Sequence, residues 1–163
     1  MEAAAAYLAN RMHTVFELRK HLKEKEYSAD EIEKTIADLL DMKYLDDYQY
    51  ALRYYEYNRD KKRGTLRAER ELAERGVDRE IIRNAKEDFL YEQKVDEFED
   101  ALAAAKPEVF TKSDIFGDEV TVKELDDKLS AKIARKLETK GFNRGDIFRV
   151  LDALRREAEE ARK

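Results

Sequence analysis

The densest concentration of residues able to hold a partner is NRDKKRGTLRAER, Asn58 to Arg70, which carries Arg59, Lys62, Arg63, Arg67 and Arg70 and is preceded by Arg53. Guanidinium forks and ammonium charges suit phosphate oxygens or carboxylates, and each phosphate neutralised adds a salt-dependent increment of affinity through counterion release. Glu69, Glu71 and Glu74 dilute the run, so ordinary paired charges on a helix surface are the competing reading. Tyr48, Tyr50, Tyr54, Tyr55 and Tyr57 crowd the stretch before it. Rings beside arginine stack on unpaired bases. At helical spacing most of these tyrosines read instead as packing, with Tyr54 and Tyr57 the candidates for exposure. Arg144, Arg149 and Arg155 mark a second basic surface near the C-terminus.

Other residue types offer less. Asp46-Asp47 and Asp126-Asp127 have no third ligand at a spacing that helix geometry would gather, and read as helix caps. His13 and His21 lie two helical turns apart without a further ligand and are expected on the surface. No serine sits in a nucleophile elbow, no glycine-rich loop offers to cradle a nucleotide, and there is no cysteine. The expectation is a protein without catalysis, metal or cofactor, in a reducing compartment, hence cytoplasmic. No apolar run approaches the roughly 20 residues of a membrane helix.

The elements that must position these residues are helices. At 163 residues with 44% charged residues, 5 glycines and 1 proline, the chain reads as all-α with much solvent-washed surface. Its charge is blocked. Basic against acidic residues run 7 to 11 over 1–50, 11 to 7 over 51–86, 4 to 14 over 87–127 and 11 to 6 over 128–163. Such asymmetry reports on partners rather than on fold.

Three segments align without a gap: Arg19–Leu39, Glu69–Phe89 and Ala134–Leu154. Leu22, Leu72 and Leu137 coincide, as do Tyr27, Val77 and Phe142, and Ile32, Ile82 and Ile147. Ser28, Asp78 and Asn143 share an N-cap position, and Gly76 and Gly141 stand at the end of the preceding helix, where Glu26 departs from the rule. Internal repetition of this length is the signature of a stacked array. Thr14 and Glu17 form a capping box opening the first pair, and Asp46 caps a following helix that ends at Gly64. Pro107 is expected to stop the corresponding helix of the second copy at Lys106. Residues 107–122 read as an insertion or loop that can close as a small hairpin about Gly117-Asp118. A capping box at Thr121 and Glu124 suggests a long helix into the third copy. The third helix of that copy is expected to be absent or fused into the tail. The expected division is 1–63, 64–106, the 107–122 insertion, and 123–163.

YLANR (Tyr7–Arg11), FELRKHL (Phe16–Leu22), YLDDYQYA (Tyr44–Ala51), KRG through ELAERGVDREII, and ARKLETKGF with IFRVL together resemble the RecX family of recombinase regulators. The resemblance covers nearly the whole chain. It implies three tandem three-helix repeats in an elongated, curved array, cytoplasmic and non-catalytic. It further implies binding to the RecA recombinase and its filament on DNA, with modulation, usually inhibition, of ATPase and strand exchange in recombination, DNA repair and the SOS response. The basic residues Arg53, Arg59, Lys62, Arg63, Arg67 and Arg70 would form the partner surface, with direct DNA contact open and a monomer expected. Two rivals remain: a helix-turn-helix nucleic-acid module, for which only the third copy, with Arg144, Arg149, Arg155 and Arg156, looks usable, and a helical adaptor with another partner.

Overall fold

The aligned segments fold as the helix pairs that their caps announce. The structure, a computed structural model, describes residues 1–112 and 120–163. Its helices are α1 (Glu2–Leu8), α2 (Val15–Glu24), α3 (Ala29–Asp41), α4 (Asp47–Asp60), α5 (Thr65–Glu74), α6 (Arg79–Glu92), α7 (Glu97–Val109), α8 (Asp127–Lys140) and α9 (Arg144–Glu160). The pairs are α2–α3, α5–α6 and α8–α9. Thr14 and Ser28 each close a full capping box, and Asp78 and Asn143 cap α6 and α9 by accepting the N–H of Glu80 and Asp146. Asp46 accepts the Gln49 N–H at 2.9 Å, capping α4.

The first helix of each pair ends in a left-handed residue: Glu26 at φ 64°, Gly76 at 75° and Gly141 at 89°. In every case the next apolar residue donates its N–H back into the helix: Tyr27 to Leu22, Val77 to Leu72 and Phe142 to Leu137. Such a closure satisfies carbonyls that the helix end leaves without partners.

The chain forms two compact units, one of Met1–Tyr57 with Glu69–Gln93 and the other of Asn58–Ala68 with Lys94–Lys163, so α4 and α5 each contribute to both. In the first unit, Leu18, Leu22, Ile32, Ile36, Leu39 and Leu45 form a core beneath α1, whose Ala4 is fully buried. In the second, Leu102, Val109, Ile133, Leu137, Phe142 and Leu154 form a core shared by α7, α8 and α9. The third pair therefore packs with the helix before it. After α9, which runs to Glu160, no further helix follows among the described residues.

Three local expectations also change. α7 runs through Pro107 to Val109 rather than stopping at Lys106, with Ala104, Ala105 and Val109 buried in the same core. Burial of that apolar face outweighs the local preference of the residue before a proline. Two strands, β1 (Phe110–Lys112) and β2 (Val120–Val122), pair antiparallel, while the turn assigned to Gly117-Asp118 lies outside the described residues. α8 opens at Asp126, which accepts the Leu129 N–H at 2.7 Å, so the Thr121–Glu124 capping box does not form.

Each unit contains the same joint between successive pairs. In the first, Thr14 Oγ1 donates to the Arg75 carbonyl at 2.7 Å, and the Val15 N–H, at the start of α2, reaches Asp47 Oδ1 at 2.9 Å. In the second, the Gly64 and Leu66 N–H groups donate to the carbonyls of Lys140 and Gly141 at 2.9 and 3.1 Å, and the Thr65 N–H reaches Glu97 Oε1 at 3.0 Å. In the gap-free alignment Val15 corresponds to Thr65, Asp47 to Glu97, and Arg75 to Lys140. The opening donors of a helix, which lack intrahelical partners, are thus met by the closing turn of the next pair's first helix and by the first carboxylate of the helix between. The approach leaves no room for a side chain, since a Cβ on Gly141 would stand 2.5 Å from the Arg67 nitrogen and one on Gly76 would stand 2.4 Å from the Phe16 side chain.

His13 is corrected from surface to core. It is only 6% exposed, and the Tyr7 ring stacks between it and His21 at centroid distances of 3.8 and 4.0 Å. His13 Nδ1 lies 3.2 Å from Glu17 Oε2. Burial, then the nearby Arg11 charge, pushes the His13 pKa down, against the opposite pull of Glu17. Burial raises the Glu17 pKa, but the Thr14 N–H, Arg11, His13 and Arg75 outweigh it and hold the carboxyl below its ordinary value.

Gly141→Ala should destabilise the protein by about 2 kcal/mol or more, read in urea or thermal unfolding, because the new Cβ meets backbone and the residue must stay left-handed. The histidine and carboxylate shifts have the same consequence. The unfolded chain binds more protons at each group, so stability falls as pH drops below 6.5 through His13 and below 4.5 through Glu17. The melting temperature should therefore fall from about pH 7 to about pH 5, and His13→Phe, which keeps an aromatic ring against Tyr7, should flatten the histidine part of that fall.

Candidate cationic joint

The two joints share a carboxylate on the opening N–H, Asp47 on Val15 and Glu97 on Thr65, and differ in the charges around it. In the first unit the joint is neutralised. Arg75 donates to Glu17 Oε1 at 3.2 Å and to the Tyr50 hydroxyl at 3.1 Å, and its guanidinium lies 5.0 Å from the centre of the Tyr54 ring. In the second unit Lys140 stands where Arg75 stood, and Arg67 stands where Glu17 stood. An acid–base pair has become a pair of bases.

Further cations gather there. Lys140 Nζ donates to the Lys62 carbonyl at 3.2 Å, and Arg67 Nη1 reaches the Thr139 carbonyl at 3.5 Å. Lys62 is left-handed at φ 54°, in the turn where the Arg63 N–H donates to Asn58 O at 2.9 Å. Burial and then the charges of Lys136, Arg63, Lys62 and Arg67 lower the Lys140 pKa. Each of those four charges is positive. Lys136 lies 2.5 Å from Glu108, which also takes Lys132 at 2.9 Å and is held down to about 2 by the two.

The residues expected to bind divide accordingly. Lys62, Arg63 and Arg67 come together with Lys136 and Lys140 in the second unit. Arg59, in the same unit, is committed to Asp100 at 3.0 Å. Arg53 and Arg70 are exposed in the first unit and make no ion pair or side-chain hydrogen bond among the described residues. Of the second basic surface, Arg144 pairs with Glu138 at 3.3 Å, Arg149 with Asp146 at 3.0 Å and Arg155 with Asp152 at 3.6 Å, and Arg149 also lies 4.3 Å over the Phe98 ring. Exposed pairs of this kind are weak, so the arginines can exchange partners.

The tyrosines are mostly structural. Tyr50 and Tyr55 are buried, Tyr55 donates to the Ile82 carbonyl and stacks on Phe89, and Tyr54 donates to Glu71 at 2.6 Å. Tyr54 is thus half-buried rather than exposed, while Tyr57 is exposed. Lys136 and Lys140 were missed from sequence because they belong to another copy. The signal available was the alignment itself, which sets Lys140 opposite Arg75.

Among the described residues no group of three or more His, Asp or Glu side chains converges to hold a metal, and no helix is long and apolar enough to cross a membrane.

Comparison with known proteins places this architecture. A family model described as RecX, first three-helix domain, matches residues 1–39, the span of α1, α2 and most of α3. The regulatory protein RecX of Vibrio parahaemolyticus is 31% identical over 150 residues, covering 92% of this chain and 88% of that protein. Those of Halalkalibacterium halodurans and Bacillus subtilis are each 30% identical, over 140 and 158 residues. The alignments cover 85% and 96% of this chain but only 48% and 55% of those proteins, so the chain spans about half their length. The crystal structure of RecX from Lactobacillus salivarius superposes with a TM-score of 0.73 at 23% identity, covering 94% of this chain and 92% of that one. On repeat, fold and relatives together, this chain belongs to the RecX family of regulatory proteins.

Proposed function

We propose that the protein binds the RecA recombinase and its filament on DNA and restrains ATP hydrolysis and strand exchange, acting in recombination and DNA repair without catalysis of its own. Family membership supports a regulatory role, and the observation that carries the choice of surface is the cationic joint of the second unit. The positions of Glu17 and Arg75 in the first joint are held by Arg67 and Lys140 in the second, while the opening N–H keeps its carboxylate in both. That separates a binding role from a packing role. Arg53 and Arg70 supply exposed basic groups in the first unit, and Arg144, Arg149 and Arg155 supply weakly paired ones on α9. We further propose the division expected from the sequence, 1–63, 64–106, the 107–122 insertion and 123–163, as the sequence boundaries of the copies, a cytoplasmic setting, and a monomer that gains its contacts from the filament.

The test is ATP hydrolysis by the cognate recombinase on single-stranded DNA as the protein is titrated in. Inhibition at well below one copy per recombinase is expected. The triple change Arg63→Ala, Arg67→Ala, Arg70→Ala should raise the half-inhibitory concentration at least tenfold while helical circular dichroism is retained. No change in hydrolysis or strand exchange at saturating protein would refute the reading.

A further inference from the structure

The first helix of each pair has a face that takes a helix end. On α2 that face takes the closing turn of α5, where Phe16 crowds Gly76 and Arg75 donates to Glu17. On α5 it takes the closing turn of α8, through the Gly64 and Leu66 bonds to the Lys140 and Gly141 carbonyls. On α8 the corresponding face is exposed at Ala131, Lys132 and Arg135, and it borders a hollow of about 410 Å³. Lys123, Lys128, Lys132 and Arg135 line the hollow around Leu129, with Glu124 and Asp126 as the two acids. Asp126 is engaged with the Leu129 N–H at 2.7 Å, and Lys132 reaches Glu108 at 2.9 Å. Lys123, Lys128 and Arg135 have no ion pair among the described residues. Ser130, next to Leu129, stands where the second copy has Thr65. The Thr65 hydroxyl donates to Glu97 Oε1 at 2.8 Å, whereas the Ser130 hydroxyl is buried and has no partner among the described residues. A buried hydroxyl left this way costs free energy that an arriving acceptor recovers.

We infer that this face of α8 docks an acidic helix of a protein partner, laid where the other two copies receive a helix of this chain. Two observations choose that occupant. The face continues an interface that the chain builds twice, in both cases with a helix end. Its charge is complementary to an acidic helix, since Lys128, Lys132 and Arg135 are spaced i, i+4 and i+7 along one stripe, and carboxylates at the same spacing on a facing helix meet them in register. One further carboxylate at the docked helix's start would take the Ser130 hydroxyl as Glu97 takes that of Thr65. Four bases set with two acids suit a helix that is predominantly acidic and partly basic. A phosphate backbone offers acceptors alone, and Glu124 and Asp126 oppose it. The partner is the recombinase of the proposal above, on which this site depends for its occupant.

Ala131 is the place for a probe, because it is exposed and the first copy already carries an aromatic ring, Phe16, at that position. The whole protein with Ala131→p-benzoylphenylalanine is irradiated with the cognate recombinase assembled on single-stranded DNA, and the crosslinked peptides are sequenced by mass spectrometry. The expected product joins position 131 to a recombinase helix rich in aspartate and glutamate. Lys128→Glu with Arg135→Glu, both on the solvent side of α8, should lower the yield about tenfold while helical circular dichroism is retained. Ser130→Ala should lower the yield without lowering the melting temperature of the free protein, which a purely structural hydroxyl would not do. A crosslink to a second copy of this chain, to a recombinase segment without such a helix, or one indifferent to the charge reversal overturns the docking site. So does the lack of any crosslink while ATP hydrolysis is inhibited, and in that case the function proposed above stands. The expected crosslink without inhibition keeps the site and removes the regulatory reading. Neither crosslink nor inhibition overturns both.

Discussion

The unpaired backbone donors at the start of a helix govern this architecture. Val15 in the first unit and Thr65 in the second each open the first helix of a pair, and neither N–H has a partner inside its own helix. Asp47 and Glu97 meet them, and the closing turn of the next pair supplies carbonyls or close backbone alongside. This one arrangement explains why the helix after a pair must begin with a carboxylate and why the next pair's turn must contain glycine. Side-chain chemistry elsewhere is free to drift as long as these backbone bonds are made.

That freedom was used unevenly. At the first joint Arg75, Glu17, Tyr50 and Tyr54 form a closed set, in which cation, carboxylate and aromatic rings satisfy one another. At the second, Arg67 and Lys140 hold the positions of Glu17 and Arg75, while the opening N–H keeps its carboxylate, Glu97 in place of Asp47. A repeat protein contains its own control in this respect. What the two copies share marks what folding needs, and what one has abandoned marks what folding can spare.

The legibility of the fold in the sequence follows the range of the interactions. Caps at Thr14, Ser28, Asp46, Asp78 and Asn143 are signalled within three or four residues of where they act, and all form. Where a local rule met a tertiary one, the tertiary one prevailed: Pro107 remains helical because Val109 is buried, and His13 is interior because Tyr7 arrives from another helix. The Lys86 ammonium on α6 lies 2.5 Å from Glu69 on α5, a pairing of two helices that no local pattern announces. The cationic joint was half legible. The cluster at Lys62, Arg63 and Arg67 lies contiguous in sequence, whereas Lys136 and Lys140 join it through the meeting of two copies, which no window along the chain can show.

Glu26 closes the first pair in the same left-handed turn as Gly76 and Gly141, yet it is exposed, and no earlier pair lies against it among the described residues. Left-handed backbone alone costs a non-glycine residue of order 1 kcal/mol, which a chain can bear, whereas a Cβ driven into a neighbouring helix cannot be borne. The glycine is therefore a mark of adjacency rather than of turn geometry. Within this chain the position becomes punctuation: glycine stands at the two turns that another pair's helix crowds, Phe16 on Gly76 and Arg67 on Gly141, and a side chain stands at the turn left open.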